Sequence, residues 1–343
     1  MPLSLNYVVK RVFWSILVII GVVVLSYVIL IMSPGDPAVK WAGNPRGPNA
    51  IAAVEAARRE LGLDQPLYIQ LVRFIENVFT GNIGYSIAYR GQSVSTIIID
   101  NLTATLELLF ITYLIAIPVG AFLGYYSALK RGTAVDSALQ QVAIVLASTP
   151  SFWLGSALFL ILTSLGFSLT DRVDYSLAVS TGFRPITGFY IVDALIQGNI
   201  SVLIDVIVRL IPPAVAIMGY PIGLMIRVVR SLVAEELLED YVNMAVALGV
   251  DRRRILWSYI LRAVRPGIAQ IAGMSFAYSL VDAMVVENAV FGRPGLGKLL
   301  VDSLRTSDFR IAVGLIVTVS VLYLIINTLS DVIQALSDPR VKL

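Results

Sequence analysis

Long apolar runs separated by short polar connections dominate the chain. Stretches at 12–32, 105–129, 135–165, 203–226, 266–286 and 311–335 each hold enough consecutive apolar residues to cross a bilayer, which takes roughly 20 residues of helix. The third is long for one crossing and is interrupted near Pro150, and the fourth carries Pro212, Pro213 and Pro221. Prolines inside such runs mark either kinks beside a cavity or ordinary packing bends. The first run follows Lys10 and Arg11 and is about 21 residues long, whereas a signal-peptide apolar region is roughly 7–15. It reads as a retained first helix.

Between these runs, two longer polar segments keep a helical rhythm. In the segment 33–101, the stretch 51–63 is periodic. So is 66–80, with Tyr68, Ile69, Leu71, Val72, Ile75 and Val78 recurring at helical spacing. An ordered cap on one membrane face is the expectation. The segment 227–265 is charged and also helical in pattern.

Composition sharpens the class. Of 343 residues, 57% are hydrophobic and 14% charged, with a mean hydropathy of +0.82. A soluble domain carries roughly 25% charged residues, so lipid is the solvent for much of this chain. The net charge of +3 gives no case for nucleic acid. With no cysteine and no histidine, disulfides, thiolate chemistry, the usual zinc sites and imidazole catalysis drop out.

Orientation follows from the basic residues. Lys10, Arg11, Lys130, Arg131, the arginines at 227, 230, 252, 253, 254, 262 and 265, and Arg340 with Lys342 fall on one side. The other side spreads a similar basic count over about twice the loop length. The denser side is expected to be cytoplasmic, with both termini there and 33–101 outside.

Candidate chemistry is sparse. In the cytoplasmic segment, Asp240, Tyr241, Ala245, Leu248 and Gly249 would lie near one helical side, followed at once by Arg252, Arg253 and Arg254. The glycine is a natural helix stop. Small residues for close approach and charges for orientation fit a docking helix, and a surface connector fits equally well. Asp282 lies well inside the fifth run, where a charge calls for a cavity or a partner. Glu107 and Glu287 sit near the outer edges of their runs, where solvation is expected. Asp205 and Arg209, four apart, read as a local ion pair. Asn101 and Asn199 head weak glycosylation-type triplets close to the membrane. The run from Gly292 to Lys298 fits phosphate-loop spacing. Yet Leu299 stands where a magnesium-binding hydroxyl belongs, and no buried strand precedes it. Pro294, Gly295 and Gly297 therefore read as a tight turn or re-entrant piece at an outer gate.

The segment 240–254 resembles the coupling loop, termed EAA, of binding-protein-dependent ABC importer permeases. Ala245 and Gly249 stand at the second alanine and the glycine of that pattern. Asn243 and Met244 replace its glutamate and first alanine, so the charge contact attributed to that glutamate does not carry over. The likeness continues through Ser33-Pro-Gly-Asp-Pro-Ala38, Leu61-Gly-Leu-Asp-Gln-Pro-Leu67, Gly81-Asn-Ile-Gly-Tyr-Ser86, Thr105-Leu-Glu-Leu108, Glu287 to Gly297 and Asp338-Pro-Arg340. Six weak motifs in order make the chain look like the first membrane subunit of a dipeptide/oligopeptide importer.

That resemblance implies an all-α polytopic fold of the type I importer class. It divides the chain into a first helix with external segment (1–100), a transmembrane domain (101–336) and a short cytoplasmic tail (337–343). It also implies a second homologous permease subunit, two cytoplasmic ATPases that hold the ATP and magnesium, and an extracellular or lipid-anchored substrate-binding protein. No cofactor is expected on this chain and no bond chemistry. Oligosaccharides or metal chelates remain open as cargo. A passive channel or secondary transporter would want a repeat or a ring of intramembrane charges, and an intramembrane enzyme a catalytic motif. Neither pattern is evident.

Overall fold

The computed structural model describes residues 5–32, 35–86, 88–89 and 91–337. Ser33 and Pro34 of the first motif and Asp338-Pro-Arg340 of the last lie outside them. Every regular element among the described residues is helical, with one isolated antiparallel bridge between Tyr85 and Ser93.

Helix α1 (Leu5–Met32) is followed by a compact set of short helices: α2 (Pro37–Trp41), α3 (Ala50–Leu61) and α4 (Leu67–Phe79). The last two are the periodic segments expected from the sequence. α2 was not anticipated. Asp36 caps it by accepting from the Ala38 N–H at 2.8 Å, with Pro37 at the first helical position, and the same carboxylate takes Arg58 of α3. This arrangement uses proline where its missing N–H costs nothing. Trp41, Ala57, Leu61 and Phe74 then bury against Val23 and Tyr27 of α1 and against Val313 and Val317 further on.

Three long helices form the centre of the molecule. They are α5 (Val94–Leu129), α10 (Ile200–Glu236) and α13 (Leu261–Val285), whose facing residues make the largest buried apolar cluster. α5 and α10 approach closely because Gly120 and Gly124 stand four apart. A Cβ at Gly120 would lie 2.6 Å from the Met225 Cβ, and one at Gly124 would lie 2.7 Å from the Ile226 carbonyl oxygen. Small residues at this spacing let helix backbones touch in lipid, where dispersion must replace the hydrophobic drive.

The third apolar run is two helices. α6 (Ala134–Ser148) and α7 (Ser151–Ser164) meet at Thr149-Pro150 with an 87° bend. Pro150 lacks the N–H that would continue α6. Gly219 and Gly223 of α10 hold α6 in place, since a Cβ at Gly223 would fall 2.4 Å from the Ala143 carbonyl oxygen. Two short helices, α8 (Tyr175–Ser180) and α9 (Tyr190–Ile196), fill the connection to α10.

Beyond α10 come α11 (Asp240–Ala247) and α12 (Arg252–Arg254), and then a π-turn at Ile255–Ile260 leads into α13. A second π-turn, Val286–Phe291, closes α13 before α14 (Leu296–Arg305) and α15 (Phe309–Ser337).

Four helices among the described residues are long and apolar enough to cross a membrane, and five crossings result if the bent pair counts as one. α1 adds a shorter apolar stretch, Phe13–Ile29. Two expected boundaries move. α5 starts at Val94 rather than near 105, and α10 runs unbroken through its three prolines to Glu236.

Candidate functional site

Two regions at opposite ends of the bundle gather the residues singled out by sequence. At the basic end lies α11. Its Val242 and Ala245 bury into a cluster with Tyr125, Val229, Ile255 and Val264. Met244, Val246 and Leu248 flank them, each more than 60% exposed. Tyr241, Ala245 and Leu248, expected on one face, all line one groove beside the helix. Ala245 is buried and Leu248 exposed on that side, and the Tyr241 hydroxyl donates to Glu236 at 2.6 Å.

The helix stops as the glycine foretold. The Gly249 N–H reaches the Val246 carbonyl and the Val250 N–H reaches the Ala245 carbonyl, with Gly249 left-handed at φ +73°. This is the two-bond C-terminal cap that favours glycine. The position a Gly249 Cβ would take has nothing within 4 Å. Asp251 then caps α12, accepting from the Arg253 N–H at 3.0 Å, and Arg252, Arg253 and Arg254 stand exposed. A groove of about 500 Å³ runs beside α11, lined by Tyr241, Met244, Ala245, Leu248, Tyr259 and Arg262 among others. Asp240 is exposed at the helix start.

Arg230, read from sequence only as a topological charge, anchors this end. Its guanidinium donates to both oxygens of Asp136 at 2.9 and 2.7 Å, and Asp136 also accepts from Ser127 at 2.7 Å and from the Gly132 N–H at 3.0 Å. The fork geometry fixes the α5–α6 turn against α10.

The opposite end holds a buried charge cluster. Here the structure corrects the sequence reading of Glu107 and Glu287, which are 3% and 0% exposed rather than solvated. Glu107 takes the Arg172 guanidinium at 2.8 Å and the Ile191 N–H at 2.7 Å. Arg172 also donates to the Gly188 carbonyl at 2.7 Å and lies 3.7 Å over the Tyr190 ring. Glu287 accepts from the Thr105 hydroxyl at 3.0 Å and from the Gly297 N–H at 3.3 Å. Hydropathy alone could not find this cluster, because its members are far apart in sequence and are joined by packing.

The glycine-rich turn folds onto Glu287. A Cβ at Gly295 would stand 2.3 Å from that carboxylate, and one at Gly297 would stand 1.9 Å from the Met284 carbonyl oxygen. Pro294 lies between buried Arg293 and Gly295, and the Lys298 amine donates to the Gly292 carbonyl at 3.0 Å. The turn therefore wraps a carboxylate, with its lysine tied to its own backbone.

Asp205 and Arg209 form more than a local pair. Arg209 also donates to the Ser168 carbonyl at 2.7 Å and contacts Asp174 at 3.3 Å, while Asp205 accepts from the Asp174 N–H at 2.7 Å. Asp193, fully buried, accepts from the backbone N–H groups of Ile186, Thr187 and Gly188. Burial pushes its carboxyl up, and these bonds together with the Thr187 hydroxyl outweigh that and hold it below the usual range. Both carboxylates keep the 166–199 connection ordered.

Asp282 stands apart from both ends, in α13 beside the α6–α7 bend. It accepts from the Ser151 hydroxyl and lines a cavity of about 220 Å³.

Long apolar helices, a sharply broken pair among them and exposed apolar side chains on a firmly anchored short helix define a multi-pass membrane component. The model of the family described as "Binding-protein-dependent transport system inner membrane component" matches residues 116–343, and the model of its N-terminal companion matches residues 4–109. The chain belongs to this family, whose members are the membrane subunits of ABC importers. It is similar to the probable D,D-dipeptide transport system permease protein DdpB of Escherichia coli (strain K12), at 36% identity over 96% of this chain and 98% of that protein. It is also similar to the di/tripeptide transport system permease protein DppB of Pseudomonas aeruginosa (strain UCBPP-PA14), at 31% identity over 98% of this chain and 99% of that protein. The dipeptide transport system permease protein DppB of Escherichia coli (strain K12) shares 31% identity over the same proportions.

Proposed function

We propose that this chain is the non-catalytic permease subunit of an ATP-driven peptide importer. It forms half of a translocation pathway with a second, homologous subunit. The single observation that carries the coupling role is α11: packed into the body through Val242 and Ala245, with exposed Met244, Val246 and Leu248 on either side, and ended by an open left-handed glycine. An exposed apolar patch on a charged surface marks a protein contact. The contact proposed is with two cytoplasmic ATPases, which hold ATP and magnesium and supply the free energy of hydrolysis. The anchoring of α11 to α10 and to the π-turn before α13 gives a mechanical route. Displacement of the exposed face by a closing ATPase pair is felt by the two helices that pack on α5.

In this reading both termini and the segment 227–265 are cytoplasmic, and 33–101 is extracytoplasmic, where α2, α3 and α4 receive a substrate-binding protein. Glu287, Pro294, Gly295 and Gly297 shape the outer closure of the path, and Asp282 lies along it. Peptide cargo is supported by what the relatives are named for.

The test is reconstitution of the chain with its sister subunit, ATPases and binding protein in proteoliposomes. Uptake of a labelled di- or tripeptide that requires ATP is the expected result. Uptake without ATP would overturn the importer reading. ATP-driven uptake of an oligosaccharide or metal chelate in place of the peptide would overturn only the cargo.

A further inference from the structure

The α6–α7 bend brings the C-terminal end of α6 and the N-terminal end of α7 to one place, and α13 presents Tyr278 and Asp282 to it. These residues are four apart and so share a helix face. Tyr220 of α10 lies against Tyr278, with ring centroids 4.8 Å apart and planes tilted by 38°. Together with Ser148, Thr149 and Ser151 they line the cavity of about 220 Å³. No lysine or arginine lines it. The Ser151 hydroxyl donates to one oxygen of Asp282, and no ion pair to Asp282 is formed among the described residues.

A carboxylate in a membrane interior is costly unless a cation answers it. Two tyrosine faces add attraction for a positive group. The C-terminal end of α6 and the N-terminal end of α7 meet here with opposite partial charges that offset one another. Carboxylate and aromatic rings select for one ligand chemistry.

We propose that this cavity is a transit site for a primary ammonium group, the free amino terminus of a peptide, held by Asp282 with Tyr220 and Tyr278. The proposal rests on the reading of the chain as a peptide importer. A site of this kind gives the cargo a foothold midway along the path, and it favours peptides with an unblocked amino terminus.

The chain has no cysteine, which allows a direct test. Ser148→Cys places a near-isosteric thiol on an exposed position of the cavity wall. The assembled complex in proteoliposomes is first shown to retain ATP-driven peptide uptake. It is then labelled with aminoethyl or sulfonatoethyl methanethiosulfonate, and modification is read on this chain after gel separation.

With rates normalised to those of a free thiol, the cationic reagent is expected to react about tenfold faster than the anionic one, as a nearby unpaired charge in a partly desolvated site dictates. Asp282→Asn should bring the ratio to about one, and Asp282→Glu should preserve it. A dipeptide with a free amino terminus should slow labelling, whereas its N-acetylated form and sodium chloride at equal ionic strength should not. Equal rates with Asp282 present, an unreactive thiol, or a preference that survives Asp282→Asn would each overturn the site while leaving ATP-driven uptake intact. Protection by sodium chloride alone would replace the ammonium by an inorganic cation and refute the proposal as stated. Loss of ATP dependence in the uptake control would instead strike the importer reading.

Discussion

Removing Glu107 should cost more than any surface charge in this molecule. Its carboxylate is 3% exposed. One oxygen takes the Arg172 guanidinium at 2.8 Å and the other takes the Ile191 N–H at 2.7 Å. In Glu107→Ala the guanidinium stays buried without its counter-charge, a loss of roughly 3–5 kcal/mol, and the orphaned amide adds about 1–3 kcal/mol. Glu107→Gln keeps an acceptor for Ile191 and should lose only the charge. Arg172→Met combined with Glu107→Leu removes both charges, so the double variant should recover much of the single loss. Full recovery is not expected, because Arg172 also satisfies the Gly188 carbonyl and covers Tyr190.

Thermal unfolding of the detergent-solubilised chain gives the global cost, and chymotrypsin cutting after exposed Tyr175 reports on the connection this pair holds. The expected result is a coupling of about 3 kcal/mol in the double-mutant cycle and faster cleavage in Glu107→Ala. Additive single effects, or cleavage at the unmodified rate, would show that the pair is incidental to the order of that segment.

Gly297→Ala should destabilise by about 3 kcal/mol or more, since its Cβ would meet the Met284 carbonyl oxygen at 1.9 Å and backbone cannot step aside. Gly21→Ala, which meets nothing within 4 Å, should be near neutral in the same melting assay. Gly249→Trp should leave insertion and yield intact, with a local strain of roughly 1–2 kcal/mol, and should lower ATP-driven uptake in proteoliposomes. Unchanged uptake would reduce the segment to a connector. Lys298→Ala should leave ATP turnover of the assembled complex unaltered, and loss of turnover would reopen the phosphate-loop reading. Because Asp193 is held below its usual range, its contribution is full above the unfolded value near about 4 and is lost as pH falls through the lower folded value. Amide-exchange protection at Ile186, Thr187 and Gly188 should drop over that acidic window and stay flat above it.

How much of this could be seen beforehand depends on the range of the interaction. Periodicity located α3 and α4, since an apolar stripe is a local property. Gly249 announced its own stop for the same reason, because only the glycine relaxes that backbone. Hydropathy put the start of the second crossing near 105 because it registers the lipid-facing portion. Ser95, Thr96, Asp100 and Asn101 continue the same helix outside it. Pro150 marked the break in the third run, whereas the 87° angle comes from contact with Gly219 and Gly223 of α10. Those two glycines, like Gly120 and Gly124, were visible as four-residue spacings and would have signalled close helix pairs. Along the chain Glu107 and Glu287 looked solvated, and Arg172 and Arg293 carried no signal at all. Their burial is a product of tertiary packing, and no window of neighbouring residues contains it.

The π-turns at the two ends of α13 have a mechanical meaning. Each holds a residue of slack compared with an α-turn. Between them lie 25 residues carrying Tyr278 and Asp282. Handing one residue of slack from one end to the other would screw the intervening rod forward by about 1.5 Å and turn it by roughly 100°, the step of a single helical residue. Both flanking segments could stay where they are packed. α13 is built like a spindle between two bearings, with Asp282 on the rod between them.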